Sequence, residues 1–217
     1  MTGAPRLCLC AALAATAVAA DEPDARLAER GRQDREIVYF LNAPETHSFD
    51  LFHDYTESRE GADTFLNVVR KGSAASNPSA RVLDTGERLQ VQTLRGEAVT
   101  RAGIDVKGEL PDGVAADTEV VVVRFPPVAK GASVRLRISE TYTDAGSYRL
   151  EGEDLVFERK LGRPRNAVVL PAGWYLTACA IPAAVAETAD GRVRLDFVNP
   201  RPDEIDVLIK ARRRPAR

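Results

Sequence analysis

Apolar residues fall along this chain in short runs broken by Gly, Pro, Asp and Asn, and no apolar stripe of helical length appears. Strict alternation marks residues 133–142, where Val134, Leu136, Ile138 and Tyr142 share one side and Arg135, Arg137, Ser139 and Thr141 the other. That period of two predicts a half-buried strand. Residues 47–56 give a longer strand with Phe49, Leu51 and Tyr55 on one side and Asp50, Phe52 and Asp54 on the other. Residues 119–125 (EVVVVRF) form an unbroken β-branched run before Pro126-Pro127, which predicts a central strand covered on both sides. Further strands are predicted over 37–41, 64–70, 89–94, 167–170, 174–181, 192–198 and 205–211, with shorter arms at 148–150, 155–159 and 183–188. Asp190-Gly191 supplies a tight hairpin turn between two of them. The segment 71–80 (KGSAASNPSA) reads as a loop, and 96–118 carries only a weak signal. About a dozen short strands with closely spaced turns predict an all-β fold, an antiparallel sandwich or a saddle-like layered sheet.

Residues 1–20 do not follow this pattern. Arg6, an apolar core over 7–18 and small residues at Ala17, Ala19 and Ala20 have the form of a secretory signal peptide. The run is too short and too rich in Ala to be expected to span a bilayer. Residues 21–35 are charged and are expected to form an arm, 36–211 the β domain, and 212–217 a basic tail. The segment 126–131 is a candidate boundary between two subdomains, read here as an ordered crossover between sheets. The formal net charge of −2 gives no strong pull toward nucleic acid or an anionic membrane. Cys8 and Cys10 fall within the leader, which leaves Cys179 alone and allows no internal disulfide in the processed chain. The expected location is therefore exported, periplasmic or extracellular, with a fold held by its core.

Candidate chemistry is sparse. His47 and His53 are the only histidines, and six residues along one extended strand separate them by roughly 20 Å. One ion could not bind both without a bend. Neither an H-E-x-x-H helix nor a G-x-S-x-G elbow occurs, so no catalytic or metal-binding residue is assigned and no cofactor is expected. The acids Glu140, Asp144, Glu151, Glu153, Asp154 and Glu158 include no pair that sequence alone places across a cleft. A ligand site is expected instead around Arg163, Arg165 and Asn166, a cationic fork beside an amide, with Tyr142, Trp174 and Tyr175 as apolar platforms.

Three segments carry a resemblance: GRPRNAVVLPAGWYLTACAIP, DGRVRLDFVNPRPDEIDVLIKARRR and HSFDLFHDYTESREGADTFLNVVRKGSAAS. They resemble uncharacterised exported bacterial β-domain proteins. They are also faintly similar to the β-rich N-terminal domain that precedes the catalytic module in gluzincin-type zinc aminopeptidases. The likeness covers most of 36–213 and contains no diagnostic motif. In those enzymes the zinc ligands lie in a following helical module, so the resemblance implies a non-catalytic domain, with no family residue to carry over. The expected function is that of a non-catalytic binding, accessory or structural domain of the bacterial envelope. Its partner would be a peptide, a polysaccharide or another envelope protein. The rival expectations are a polysaccharide- or peptide-acting hydrolase or lyase with a site assembled from distant strands, and a subunit that pairs through a free sheet edge.

Overall fold

A computed structural model describes residues 34–104, 106, 110, 113–201 and 203–215. The expected signal peptide, most of the expected charged arm and the last two residues of the basic tail lie outside the described residues. Fourteen strands are present among the described residues.

The fold is built on two long strands, β2 (Ser48–Glu57) and β7 (Val134–Thr143), which pair antiparallel along their whole length. Their alternation decides which side is buried. Phe49, Leu51, His53 and Tyr55 on one strand, with Leu136, Ile138, Glu140 and Tyr142 on the other, make a common inner face. β1 (Arg35–Leu41) flanks β2, and β4 (Ala74–Val82) flanks β7. β10 (Arg165–Val169), β13 (Val193–Val198) and β12 (Ala184–Glu187) extend the sheet beyond β1, giving the order β12-β13-β10-β1-β2-β7-β4. Two smaller sheets complete the molecule. One has the order β11-β14-β9-β8, from Trp174–Cys179, Ile205–Arg213, Asp154–Leu161 and Tyr148–Glu151. The other has the order β3-β6-β5, from Thr64–Val68, Glu119–Arg124 and Gln90–Arg95. This is the all-β layered architecture that the short apolar runs predict.

The valine run takes the central place expected of it. Val120, Val121, Val122 and Val123 in β6 are between 0 and 1 % exposed, with β3 on one side and β5 on the other. A large core joins the inner face of the seven-stranded sheet to the four-stranded sheet through Tyr39, Phe49, Phe157, Leu195, Phe197 and Ile209. A second core joins the other end of that inner face to the three-stranded sheet through Tyr55, Phe65, Val123, Phe125 and Leu136.

Three local features differ from the reading of the sequence. The segment 71–80 is not a loop throughout, because β4 begins at Ala74. A bulge lies between Ser76 and Ser79, with Asn77 at φ 52, so the polar stretch still pairs with β7. Pairing is not wholly antiparallel, since β1 and β10 run parallel over Glu36–Phe40 and Arg165–Val169. The long chain between those two strands, which includes the three-stranded sheet and β8 and β9 of the four-stranded one, provides the crossover that parallel strands require. A short helix, α1 (Glu97–Arg101), occupies part of the weak region and buries Val99 completely.

Candidate functional site

A polar cleft of about 310 Å³ opens where the inner face of the large sheet meets β3 and the end of β9. Its floor carries Ile37 and Tyr39 from β1, Leu51 and His53 from β2, and Ile138, Glu140 and Tyr142 from β7. Phe65 and Asn67 stand over that floor from β3. Arg70, Lys160, Arg163 and Glu204 form the rim.

Strand parity places the two titratable floor residues. Leu51 is the cross-strand partner of Glu140 and His53 that of Ile138, so His53 and Glu140 are diagonal neighbours on one face. Both are nearly inaccessible, at 5 % and 4 % exposure. Asn67 donates to Glu140 Oε2 at 2.7 Å and to the Tyr142 hydroxyl oxygen at 2.9 Å, which ties β3 to β7. Glu140 Oε1 and His53 Nε2 have no hydrogen-bond partner within the protein. Burial drives the Glu140 carboxyl up to about 7, with the Glu119 charge adding to the rise and the Asn67 amide opposing it. Burial also holds His53 well below the ordinary imidazole range, assisted by the charges of Arg163 and Arg35. Near neutral pH the floor thus offers a neutral imidazole beside a carboxyl close to its own midpoint.

The rim is cationic and partly engaged. Arg70 donates to the Lys160 carbonyl at 3.0 Å and lies 3.6 Å from Glu204. Lys160 pairs with Asp206 at 3.3 Å. Deeper in, Arg159 pairs with buried Asp144 at 2.8 Å, and its guanidinium lies 5.3 Å from the Phe49 ring centre and 5.7 Å from that of Tyr142.

Of the six residues expected to form a ligand site, Tyr142 and Arg163 line this cleft. Asn166 is buried behind it at 2 % exposure, where its amide donates to the Arg163 carbonyl at 2.7 Å and fixes the turn that carries Arg163. Arg165 is exposed in β10 and pairs with Asp34 at 2.5 Å. Trp174 is 4 % exposed in the large core, with Arg213 over its ring at 5.2 Å. Tyr175 is 38 % exposed on the other side of β11. The structure thus brings Tyr142 and Arg163 together and leaves Arg165, Trp174 and Tyr175 elsewhere.

His53, Glu140 and Asn67 are the cleft residues that the sequence reading did not assign. The signal for Glu140 is its parity, between Ile138 and Tyr142 on the apolar side of an alternating strand. His53 has the same signal between Leu51 and Tyr55. His47, by contrast, sits in the β1–β2 turn at φ 52, with Nδ1 3.0 Å from the Tyr148 carbonyl oxygen. Among the described residues no group of three or more His, Cys, Asp or Glu side chains is placed to hold a metal ion. No helix among them is long and apolar enough to cross a membrane.

No protein-family model matches the sequence, and no curated protein matches it. Solved structures do show likeness to it. The chain is similar to an M1 zinc metallopeptidase from Deinococcus radiodurans, at 13 % identity and a TM-score of 0.44, over 82 % of this chain and 41 % of that one. It is similar to an aminopeptidase N family protein from Idiomarina loihiensis, at 9 % identity and a TM-score of 0.44, over 81 % of this chain and 29 % of that one. The chain therefore spans less than half the length of these structures.

Proposed function

We propose that this is an exported, non-catalytic binding domain of the bacterial envelope that holds a peptide or glycan segment in the cleft beneath β3. One observation carries the reading. Glu140 and His53, each more than nine-tenths buried, both line one concave space, and each carries a buried polar atom without a protein partner. Unpaired buried polar groups are costly, and a ligand that hydrogen-bonds to both recovers that free energy on binding. Export rests on the form of residues 1–20.

The experiment is a titration of the folded protein with a panel of short peptides and glycopeptide fragments, followed by the side-chain NMR signals of His53. A saturable shift that Glu140→Gln or Asn67→Ala weakens about tenfold supports the site, since a hydrogen bond to a charged group is worth about 1.5–3 kcal/mol. Binding unchanged in both variants would place the ligand elsewhere.

The hydrolytic reading is favoured by one specific feature, the Glu140 carboxyl near 7, a value suited to a general acid. A glycosidase also needs a second carboxylate facing the first across about 5–9.5 Å. The other carboxylate on this cleft is Glu204, which stands exposed on the rim near Arg70. Release of new reducing ends or amines from the same panel, abolished in Glu140→Gln, would establish an enzyme in place of a binding domain.

A further inference from the structure

A second concave surface lies along the β4 edge of the seven-stranded sheet, entered from its outer face, and the charged side chains that line it are all cationic. Register places Arg137 of β7 directly opposite Arg81 of β4, and Arg81 directly opposite Arg88 across an isolated bridge. Three guanidinium groups therefore stand side by side in one cross-strand row. Like charges in direct cross-strand contact oppose sheet formation, and opposite charges favour it. The same row does continue with acids, Asp54 and then Glu36. Those acids serve other cations, however. Asp54 is held by Arg137 through two hydrogen bonds of 2.7 Å, and Glu36 lies 3.5 Å from Arg194. Arg81 and Arg88 are exposed and meet no carboxylate among the described residues.

These arginines line a groove of about 680 Å³ whose walls contain no acidic residue. Ser79 and Ser139 contribute hydroxyls, and Phe52 lies beneath the Arg137 guanidinium at 4.1 Å from its ring centre. Neighbouring strands are about 4.8 Å apart, so the row spans roughly 10 Å from Arg88 to Arg137. That length accepts successive anionic groups of a linear polymer. Clefts lined by one sign of charge also concentrate ligands of the opposite sign.

We propose that this groove binds an acidic polysaccharide, with its carboxylates on Arg81 and Arg88 and its hydroxyls on Ser79 and Ser139. The glycan class follows from the lining, where hydroxyls and apolar side chains alternate with the guanidinium groups, as sugar rings alternate polar edges with C–H faces. The inference is independent of the cleft beneath β3, which lies on the other side of the sheet.

The test uses the full folded chain and calorimetric titration at two salt concentrations. The probes are polygalacturonate, neutral dextran, poly-glutamate and a single-stranded DNA oligonucleotide. Binding to polygalacturonate that weakens with salt, with dextran inert, supports the groove. Arg81→Gln combined with Arg88→Gln should lower that affinity at least tenfold and flatten its salt dependence, while Arg81→Lys with Arg88→Lys retains part of it. Both positions are exposed, so no variant should melt below the parent, and the glutamine pair, freed of like-charge contact, should melt at or slightly above it. No binding to polygalacturonate overturns the proposal, as does binding that survives the double glutamine variant. Equal affinity for poly-glutamate or DNA overturns the glycan class.

Discussion

Glu140 concentrates the conflict between folding and chemistry in one side chain. Its carboxyl is 4 % exposed, and one oxygen has no protein partner. Its pKa is raised from 4.5 to about 7 by burial, so the native state binds the proton more tightly than the unfolded chain. Stability therefore falls as pH rises from about 4.5 to about 7, and the full penalty persists above that window. A shift of this size corresponds to about 3 kcal/mol. Glu140→Gln should match the parent near pH 4.5 and exceed its stability by about 2–3 kcal/mol at pH 8, as read from urea unfolding at both values. A constant difference between the two proteins across that range would show that Glu140 is not the titrating group. His53 works in the opposite sense. It is held well below the usual imidazole value by burial, so its contribution is lost as pH falls below about 6.5. Comparing parent and glutamine variant at each pH cancels the His53 slope. At the far end of the same inner face Glu57 behaves differently. Burial would raise its carboxyl, but hydrogen bonds from Arg59 and the Tyr55 hydroxyl outweigh it and hold the value at about 2.

Among the elements, the turn between β7 and β8 depends most on one residue. Asp144 accepts from the Ser147 backbone at 3.0 Å, from the Ser147 and Ser73 hydroxyls at 2.8 Å each, and from Arg159 at 2.8 Å. Four donors converge on one buried carboxylate, which ties the start of β4 and the middle of β9 to the turn. Asp144→Ala should lower stability by about 3–5 kcal/mol in urea unfolding, because Arg159 would stay buried without its partner. Replacing Arg159 and Asp144 together by apolar residues of similar volume should recover much of that loss, which separates the ion pair from simple packing. How far such elements were legible depended on where their information lies. The valine run of β6 and the alternation of β7 carry their own burial pattern, so 119–125 and 133–142 could be read locally. β4 could not, because its burial pattern is mostly exposed and a bulge at Asn77 breaks its period. In β11 a bulge between Leu176 and Ala178 reverses parity, so Cys179 turns toward the core and contacts the Ile181 carbonyl at 3.1 Å. The parallel pairing of β1 with β10 involves segments far apart in sequence, and no local pattern encodes it. The cleft was half legible for the same reason. Parity marks His53 and Glu140 as inward, but only the packing of β3 over that face shows that the two residues line one cleft.

At the scale of the whole molecule the question is whether the two cores unfold together. The segment 126–131 is a natural place to divide the chain by composition. Yet Phe125 and Val128 are each 6 % exposed within the second core, and Val128 exchanges backbone hydrogen bonds of 2.9 Å with Gly61 and Ala62. More importantly, β2 and β7 run through both cores. Phe49, Leu51 and Tyr142 belong to the large core, and Tyr55, Leu136 and Ile138 to the second. Strands cannot retain half of a ladder of backbone hydrogen bonds at full strength while the other half melts onto an exposed apolar face. We expect one cooperative transition. Trp174 makes this measurable, because it is the sole tryptophan and is buried in the large core, remote in the topology from the three-stranded sheet. Its fluorescence reports the large core, while far-UV circular dichroism reports all three sheets. The two signals should give the same midpoint and slope in urea. A circular-dichroism transition that precedes the fluorescence change would show that the three-stranded sheet and its core unfold as a separate unit. In that case the cleft beneath β3, which spans the junction, would open before the rest of the protein.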